Sequence, residues 1–213
     1  MQFIFAIVAL TSLVIGAIAD FTVATGSNVT GPFLLRITGK TNSSIDGYAK
    51  ACHAGAGQEG LCYDEQVPAD NYFYQFFYNY TLDESNIKTG YIIFILFSTE
   101  EEEVIPSAMR LEETPGSNVN LAFIPIGFDN PNTFSLGDDG NFYVAGLRDD
   151  RNWNETKPDF GGNRDLANFH LCWQWAGLYW YYSVAWVTTL PPQNPSCQPV
   201  NLGIAVTPNN SYS

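Results

Sequence analysis

The chain has 213 residues, 46% of them hydrophobic and only 15% charged, with 18 Gly and 12 Pro. That balance excludes disordered, collagen-like and low-complexity classes and leaves a packed globular chain. Lys+Arg 9 against Asp+Glu 22 give a net charge of −13, which repels phosphate backbones and anionic membranes, so no nucleic-acid partner is expected.

The first element is the apolar run Met1–Ala19, MQFIFAIVALTSLVIGAIA. It ends in Ala17-Ile18-Ala19, a small-x-small cleavage site before Asp20, and reads as a secretory signal peptide whose only positive charge is the terminal amine. A short membrane anchor is the competing reading, but it needs a longer apolar run and basic flanks. The sequence thus predicts a signal peptide over 1–19 and a single all-β domain over 20–213. The longest later apolar stretch, Tyr91–Phe97, has strand length, so no membrane anchor is expected.

Aromatic and β-branched runs then alternate with Gly, Pro, Asn and Asp clusters. Pro32–Gly39 alternates and stops at Gly, Tyr72–Tyr80 is almost wholly aromatic, and Gly90–Ser98 reads as a buried strand. Thr99 to Pro106 predicts one helical turn, with Thr99 and Glu102 forming a capping box and Pro106 ending it. Met109–Gly127 reads as strand, turn, strand about Pro115-Gly116-Ser117. Thr133–Gly146 is the clearest hairpin, closing on Asp138-Asp139-Gly140-Asn141. Phe169–Trp175 and Leu178–Val187 form another, joined at Ala176-Gly177, and Cys197–Val206 supplies a last strand. About ten to twelve closely spaced strands predict a single compact barrel, β-trefoil-like, with a two-sheet β-sandwich as the alternative.

Four cysteines, Cys52, Cys62, Cys172 and Cys197, fit an oxidising compartment. Three pairings are possible. The short-loop pairing Cys52–Cys62 with Cys172–Cys197 is expected, because each pair brackets one local hairpin or loop, with about 3 kcal/mol for each in the chain-entropy model. The spacings do not suit zinc, and no metal is expected. Asn-x-Ser/Thr sequons at Asn28, Asn42, Asn79, Asn154 and Asn209 mark candidate glycosylation sites, each expected at the surface.

Familiar catalytic signatures are missing. The sequence contains no Gly-x-Ser-x-Gly, no His-Glu-x-x-His and no complete Gly-x-x-x-x-Gly-Lys-Ser/Thr phosphate loop, and its only histidines are His53 and His170. Glu112-Glu113, Asp138-Asp139 and Asp149-Asp150 are the adjacent acid pairs a glycoside hydrolase would draw on, and turn or surface roles explain them equally well. No cofactor and no catalytic residue are expected.

Two places suggest binding instead. The polar connection Leu147–Asn168 carries Trp153 among Arg148, Arg151 and Arg164, as a ligand-contacting loop or as one pinned to the body by that ring. In Leu178–Val187 the strand period puts Leu178, Trp180, Tyr182, Val184 and Trp186 on one face, expected in the core. Tyr179 and Tyr181 then lie on the other, as a platform for carbohydrate or as half-buried sheet residues.

At the C-terminal third, Phe169-His-Leu-Cys172-Trp, Leu178-Tyr-Trp-Tyr-Tyr182 and Pro195-Ser-Cys197-Gln-Pro-Val200-Asn-Leu202 resemble fungal small secreted proteins. Phe134-Ser-Leu-Gly-Asp-Asp-Gly-Asn-Phe-Tyr143 is similar to the preceding hairpin of the phialide-type cell-wall proteins. The resemblance spans roughly Thr133–Val206 and implies a secreted or wall-associated β-rich protein, with no catalytic residues to carry over; it also favours the Cys172–Cys197 bridge. The expected function is that of a monomeric, non-catalytic extracellular or cell-wall glycoprotein that binds wall polysaccharide or an extracellular protein. A secreted effector and a carbohydrate-active hydrolase are the alternatives.

Overall fold

The computed structural model describes residues 27–67, 71–84, 86–98, 103–147, 164–176 and 178–205. Strands follow the aromatic and β-branched runs: β1 (Asn28–Gly39), β2 (Asp46–Gly55), β3 (Gln58–Asp64), β4 (Phe76–Leu82), β5 (Lys88–Ser98), β6 (Glu103–Ala108) and β7 (Arg110–Glu112). They continue as β8 (Val119–Pro125), β9 (Phe134–Leu136), β10 (Phe142–Leu147), β11 (Arg164–Leu166), β12 (Phe169–Ala176), β13 (Tyr179–Val187) and β14 (Gln198–Ala205). A single 3-10 turn, Tyr72–Tyr74, is the one helical element among the described residues.

All fourteen strands join one antiparallel sheet; twelve follow the order β11-β10-β9-β5-β4-β1-β14-β12-β13-β3-β8-β7, and β2 and β6 lie off that path. The expected all-β class holds. β2 pairs with both β1 and β3, so the pairings β1–β14–β12–β13–β3–β2 return to β1 and close a circuit of six strands. β1 changes partner along its length. Asn28–Phe33 lies on β4 with a register shift between Thr30 and Phe33, and Leu34–Gly39 lies on β14.

Period-two alternation builds the interior. Phe33, Leu35 and Ile37 of β1, Leu61 of β3, Phe76 and Tyr78 of β4 and Ile92 and Phe94 of β5 are at most 3% exposed and share one cluster. Phe169 and Leu171 of β12, Val184 and Trp186 of β13, and Val200 and Leu202 of β14 complete it from the other side. Each large side chain so placed stabilises the fold by about 1.5–3 kcal/mol relative to exposure. Tyr78 is wholly buried: its hydroxyl lies 2.8 Å from the Phe134 carbonyl and 3.0 Å from that of Lys88, tying β4 to β5 and β9. Burial pushes that phenol far above its ordinary value, so it stays a donor.

Several sequence expectations are corrected. Glu103–Ala108 is strand β6, not the end of a helical turn, and Pro106 pairs opposite Ile95. Pro is tolerated there because β6 pairs only with β5, leaving an edge that needs no N–H from it. The other residues of the expected turn, 99–102, lie outside the described residues. Tyr72–Tyr74 leaves the aromatic run as a 3-10 turn because Asn71 caps it, its side-chain oxygen accepting from the Phe73 N–H at 3.0 Å. The polar connection after β10 contains β11, whose Leu166 pairs with Val144. Asn28 and Asn42 are exposed as expected, but Asn79 is 4% exposed, because β4 is flanked on both sides, by β1 and β5. The signal segment 1–19, Asn154 and Asn209 lie outside the described residues.

Removing the Tyr78 hydroxyl takes away the one proton shared between the Phe134 and Lys88 carbonyls. Tyr78→Phe is expected to lower unfolding free energy by about 1–2 kcal/mol with no change of fold, as read by urea denaturation.

Candidate functional site

Strands β12 and β13 form a hairpin with Phe169 opposite Trp186, Leu171 opposite Val184, Trp173 opposite Tyr182 and Trp175 opposite Trp180. These pairs make one continuous column on a single face. At its base, Phe169 and Trp186 meet edge to face at 5.2 Å inside the core. One rung beyond Leu171 and Val184, Trp173 stacks on Tyr182 at 5.2 Å, and Tyr182 meets Tyr63 of β3 edge-on at 5.7 Å. At the outer end Trp175 and Trp180 meet edge to face at 5.5 Å. The hairpin outruns the core, so the same face passes from buried to open: Trp173, Trp175 and Trp180 are 53%, 56% and 64% exposed.

This corrects the expectation that the Trp180 face is core throughout. Only Val184 and Trp186 belong to the core cluster, with Tyr182 packed at its margin. Leu178 is not a strand residue but half of the turn, 81% exposed and held at φ 76°. A branched residue in the left-handed region carries strain of about 1–2 kcal/mol. A Leu so placed, at the tip of an exposed aromatic hairpin, contributes neither burial nor turn propensity.

The sequence-predicted platform lies on the opposite face. Tyr179 is half exposed, its ring 6.1 Å from Tyr181 and edge-on to His53 at 6.1 Å. Tyr181 is only partly open: it packs beside Ala54 and Phe123, and its hydroxyl donates to the His53 carbonyl. The structure therefore brings Tyr179 and Tyr181 together but seats Tyr181 against the β2–β3 turn. Trp153 lies outside the described residues. Trp173, Trp175 and Trp180 were missed as a surface because period two assigns faces without saying where a strand leaves the core.

Both expected disulfides are formed, Cys52–Cys62 and Cys172–Cys197, and they hold the base of the hairpin. Ser183 of β13 pairs with Cys172 on one side and with Cys62 on the other, so a cysteine from each bridge sits on one rung. Beyond that rung β12 has no further strand on its outer edge. Side chains replace it: Ser196 Oγ accepts from the Trp173 N–H at 2.9 Å, and Asn194 Nδ2 donates to the Trp173 carbonyl at 2.8 Å.

Beside Tyr182 lies an open cleft of about 400 Å³ lined by Tyr63, Asp64, Glu65, Gln66 and Tyr182. Asp64 is fixed by Lys50 Nζ at 3.0 Å, the Tyr74 hydroxyl at 2.8 Å and the Gln66 N–H at 3.3 Å. Burial alone would raise its carboxyl, but these donors outweigh it and hold the group below its usual range. Tyr74 shows the reciprocal effect, pushed up to about 12 by burial and by its bond to that carboxylate. One member of each described acid pair has a local partner, and Asp149-Asp150 lies outside the described residues. Glu112 bridges Arg110 at 3.5 Å, and Asp139 accepts from the Asn141 N–H and Nδ2 and from the Tyr143 hydroxyl within the β9–β10 turn. Glu59 is the described carboxyl group that burial raises, with His53 opposing the shift. Among the described residues no group of three or more His, Cys, Asp or Glu side chains is placed to hold a metal, and no helix is long and apolar enough to cross a membrane.

The chain matches the model of a domain of unknown function, DUF7907, over residues 30–205, from β1 to the last residue of β14, and so belongs to that family. No curated protein and no solved structure matches it.

Two measurements check this geometry. Because the folded Asp64 carboxyl titrates below its unfolded value, its stabilisation is complete above about pH 4 and is lost as pH falls through the folded value. Asp64→Asn is expected to flatten the acid limb of a melting-temperature profile and to leave a smaller, pH-independent loss. Leu178→Gly relieves the strained turn and is expected to raise unfolding free energy by about 1 kcal/mol in urea denaturation.

Proposed function

We propose that this member of the DUF7907 family is a secreted, non-catalytic wall glycoprotein that binds polysaccharide through the open face of the β12–β13 hairpin. The observation that carries the reading is the set of three neighbouring tryptophans, each more than half exposed, on a hairpin tied at its base by two disulfides. A pyranose ring offers an apolar C–H face and a rim of hydroxyls. Trp173, Trp175 and Trp180 supply flat apolar faces at successive positions along the column, matching a polymer better than a single small sugar. The cleft beside Tyr182 continues this surface with the carboxylates of Asp64 and Glu65 and the amide of Gln66, groups that accept from and donate to sugar hydroxyls. Tryptophan also fits the energetics of recognition: it offers large area with little rotamer entropy to lose, and a fixed backbone lowers that loss further.

The closed circuit of six strands supports a barrel as the finer form of the fold, and the binding surface does not depend on whether the outer hairpins repeat as in a trefoil. The oxidised cysteine pairs and the resemblance of the C-terminal third to fungal secreted proteins support the extracellular setting.

The test is retention of the secreted chain on insoluble chitin, β-glucan and mannan, before and after enzymatic deglycosylation. Saturable retention on one polymer is expected, with Trp175→Ala and Trp180→Ala each weakening it about tenfold, or about 1.4 kcal/mol, and Tyr179→Ala changing it little. Leu178→Gly is expected to weaken retention while making the protein more stable, which separates a contact role from a folding role. Failure to bind any polymer in either glycan state overturns the reading in favour of a protein partner.

A further inference from the structure

We propose that a second site, a cavity between the end of β1, the β11–β12 connection and the loop 188–197, binds a small organic carboxylate with an apolar body. The cavity measures about 520 Å³, within the range of small-ligand sites. Its apolar walls include Leu190, Pro191, Pro192 and Pro199, and its polar side chains are Lys40, Asn168 and His170.

Charge is the first argument. The chain carries −13, and three of its described cations are paired with carboxylates. Arg36 pairs with Asp46, Lys50 with Asp64, and Arg110 with Glu112 and Asp129. Lys40 differs. Among the described residues no carboxylate lies within ion-pair distance of its ammonium, which donates instead to the Ala167 carbonyl at 2.5 Å. That bond uses one of three N–H donors; Lys40 is otherwise exposed, so two donors stay available at the mouth of the cavity, where partial desolvation lowers its pKa. An anion in the cavity supplies the missing counter-charge.

Histidine is the second argument. His170 is 4% exposed yet lines the cavity. Its Nδ1 lies 2.9 Å from the Asn168 carbonyl, and a carbonyl only accepts, so Nδ1 carries the proton. In the neutral ring Nε2 is then a bare acceptor, and no described residue bonds to it. Burial, with the nearby Lys40 charge, holds the imidazole below its ordinary value against the opposing bond to Asn168. Lys40 is the charged group that faces His170 here. The strand partners of His170, Ala185 on β13 and Pro199 on β14, carry no charge, and Cys197 is held in a disulfide. A carboxylate seated on Lys40 favours protonation of Nε2, which then donates to the second carboxylate oxygen. Binding therefore takes up one proton, and affinity rises as pH falls.

The chemistry of the walls selects the ligand body. Proline and leucine offer apolar contact, and no aromatic face lines the cavity for a sugar ring. Lys40 and His170 together suit one carboxylate, and the apolar walls suit a ligand with a hydrocarbon body rather than a bare phosphate dianion.

The experiment is a titration of the disulfide-bonded protein with hexanoate, followed by NMR at the two histidine Cε1–H signals. Inorganic phosphate and hexan-1-ol serve as control probes. Hexanoate is expected to shift the His170 signal and spare His53. It should bind tighter at about pH 5.5 than at about pH 7.5, with a limiting slope of about tenfold per pH unit for one linked proton. Lys40→Met is expected to weaken binding about tenfold. His170→Asn, which keeps a donor toward Asn168 but has no titrating ring, should abolish the pH dependence. The proposal is overturned if hexanoate leaves His170 unmoved, if hexan-1-ol binds as well as hexanoate, or if phosphate binds as tightly. The wild-type pH dependence and the two controls need no variant, so they decide the matter even where a substitution fails to fold.

Discussion

The rung Cys172–Ser183–Cys62 is the constraint on which the rest of the structure hangs. It joins β12, β13 and β3 in register, and each cysteine is tied to a different part of the chain: Cys62 to Cys52 on β2, and Cys172 to Cys197 just before β14. Three of the six strands in the closed circuit, β2, β3 and β12, thus contain a disulfide cysteine, and a fourth, β14, begins one residue after Cys197. Below the rung, Leu171 and Val184 are in the core; above it, the hairpin runs into solvent. The rung is the place where a core column becomes a surface column, and the covalent bridges hold it there without a further layer of side chains.

That transition explains why an apolar surface is stable in the open. Exposed tryptophans are no help to folding, and a hairpin that projects beyond its sheet loses strand partners on both edges. Here the losses are offset locally. Ser196 and Asn194 supply the hydrogen bonds that a neighbouring strand would have made to Trp173. Cross-strand ring contacts add about 0.5–1.5 kcal/mol each beyond area burial. The turn keeps a strained Leu178 where Gly or Asn would fold more easily, so local stability is not what the tip is built for.

Much of this was legible in the sequence, for identifiable reasons. The cysteine pairing followed from short loops, and the β9–β10 hairpin from Asp138-Asp139-Gly140-Asn141, where Gly140 does take positive φ and Asp139 organises the turn. Strand type followed from β-branched and aromatic runs. What stayed hidden depends on tertiary placement. Leu178 looks like a strand residue because turn chemistry of the usual kind names Gly, Asn or Asp, and a left-handed Leu leaves no local signal. The Trp180 face looks like core because Trp186 and Val184 share its parity. Asn79 looks like a surface sequon because nothing local says that β4 is flanked on both sides. Pro106 looks like a helix stop until an edge strand is available to accept it. Lys40 and His170 are 130 residues apart in the chain, and only the β1–β14–β12 pairing brings them to one cavity.

The two proposed sites share one structural part. Loop 188–197 carries Leu190, Pro191 and Pro192 into the wall of the Lys40–His170 cavity, and the same loop sends Asn194 and Ser196 to the edge of β12 at Trp173. Its far end is anchored by Cys197, and at its near end Asn118, just before β8, donates through Nδ2 to the carbonyls of Thr189 and Pro191 and accepts from the Gln193 N–H. A ligand seated against Pro191 and Pro192 therefore presses on the segment that fixes Trp173, without passing through the hydrophobic core. The connection is short, because His170 and Trp173 are three residues apart on β12 with Cys172 between them. Packed cores deform little, so contact between separate surface sites is carried best by a loop that both of them touch. In this fold that loop is covalently closed at Cys197, which makes the Cys172–Cys197 bridge the common support of the aromatic face and of the cavity behind it.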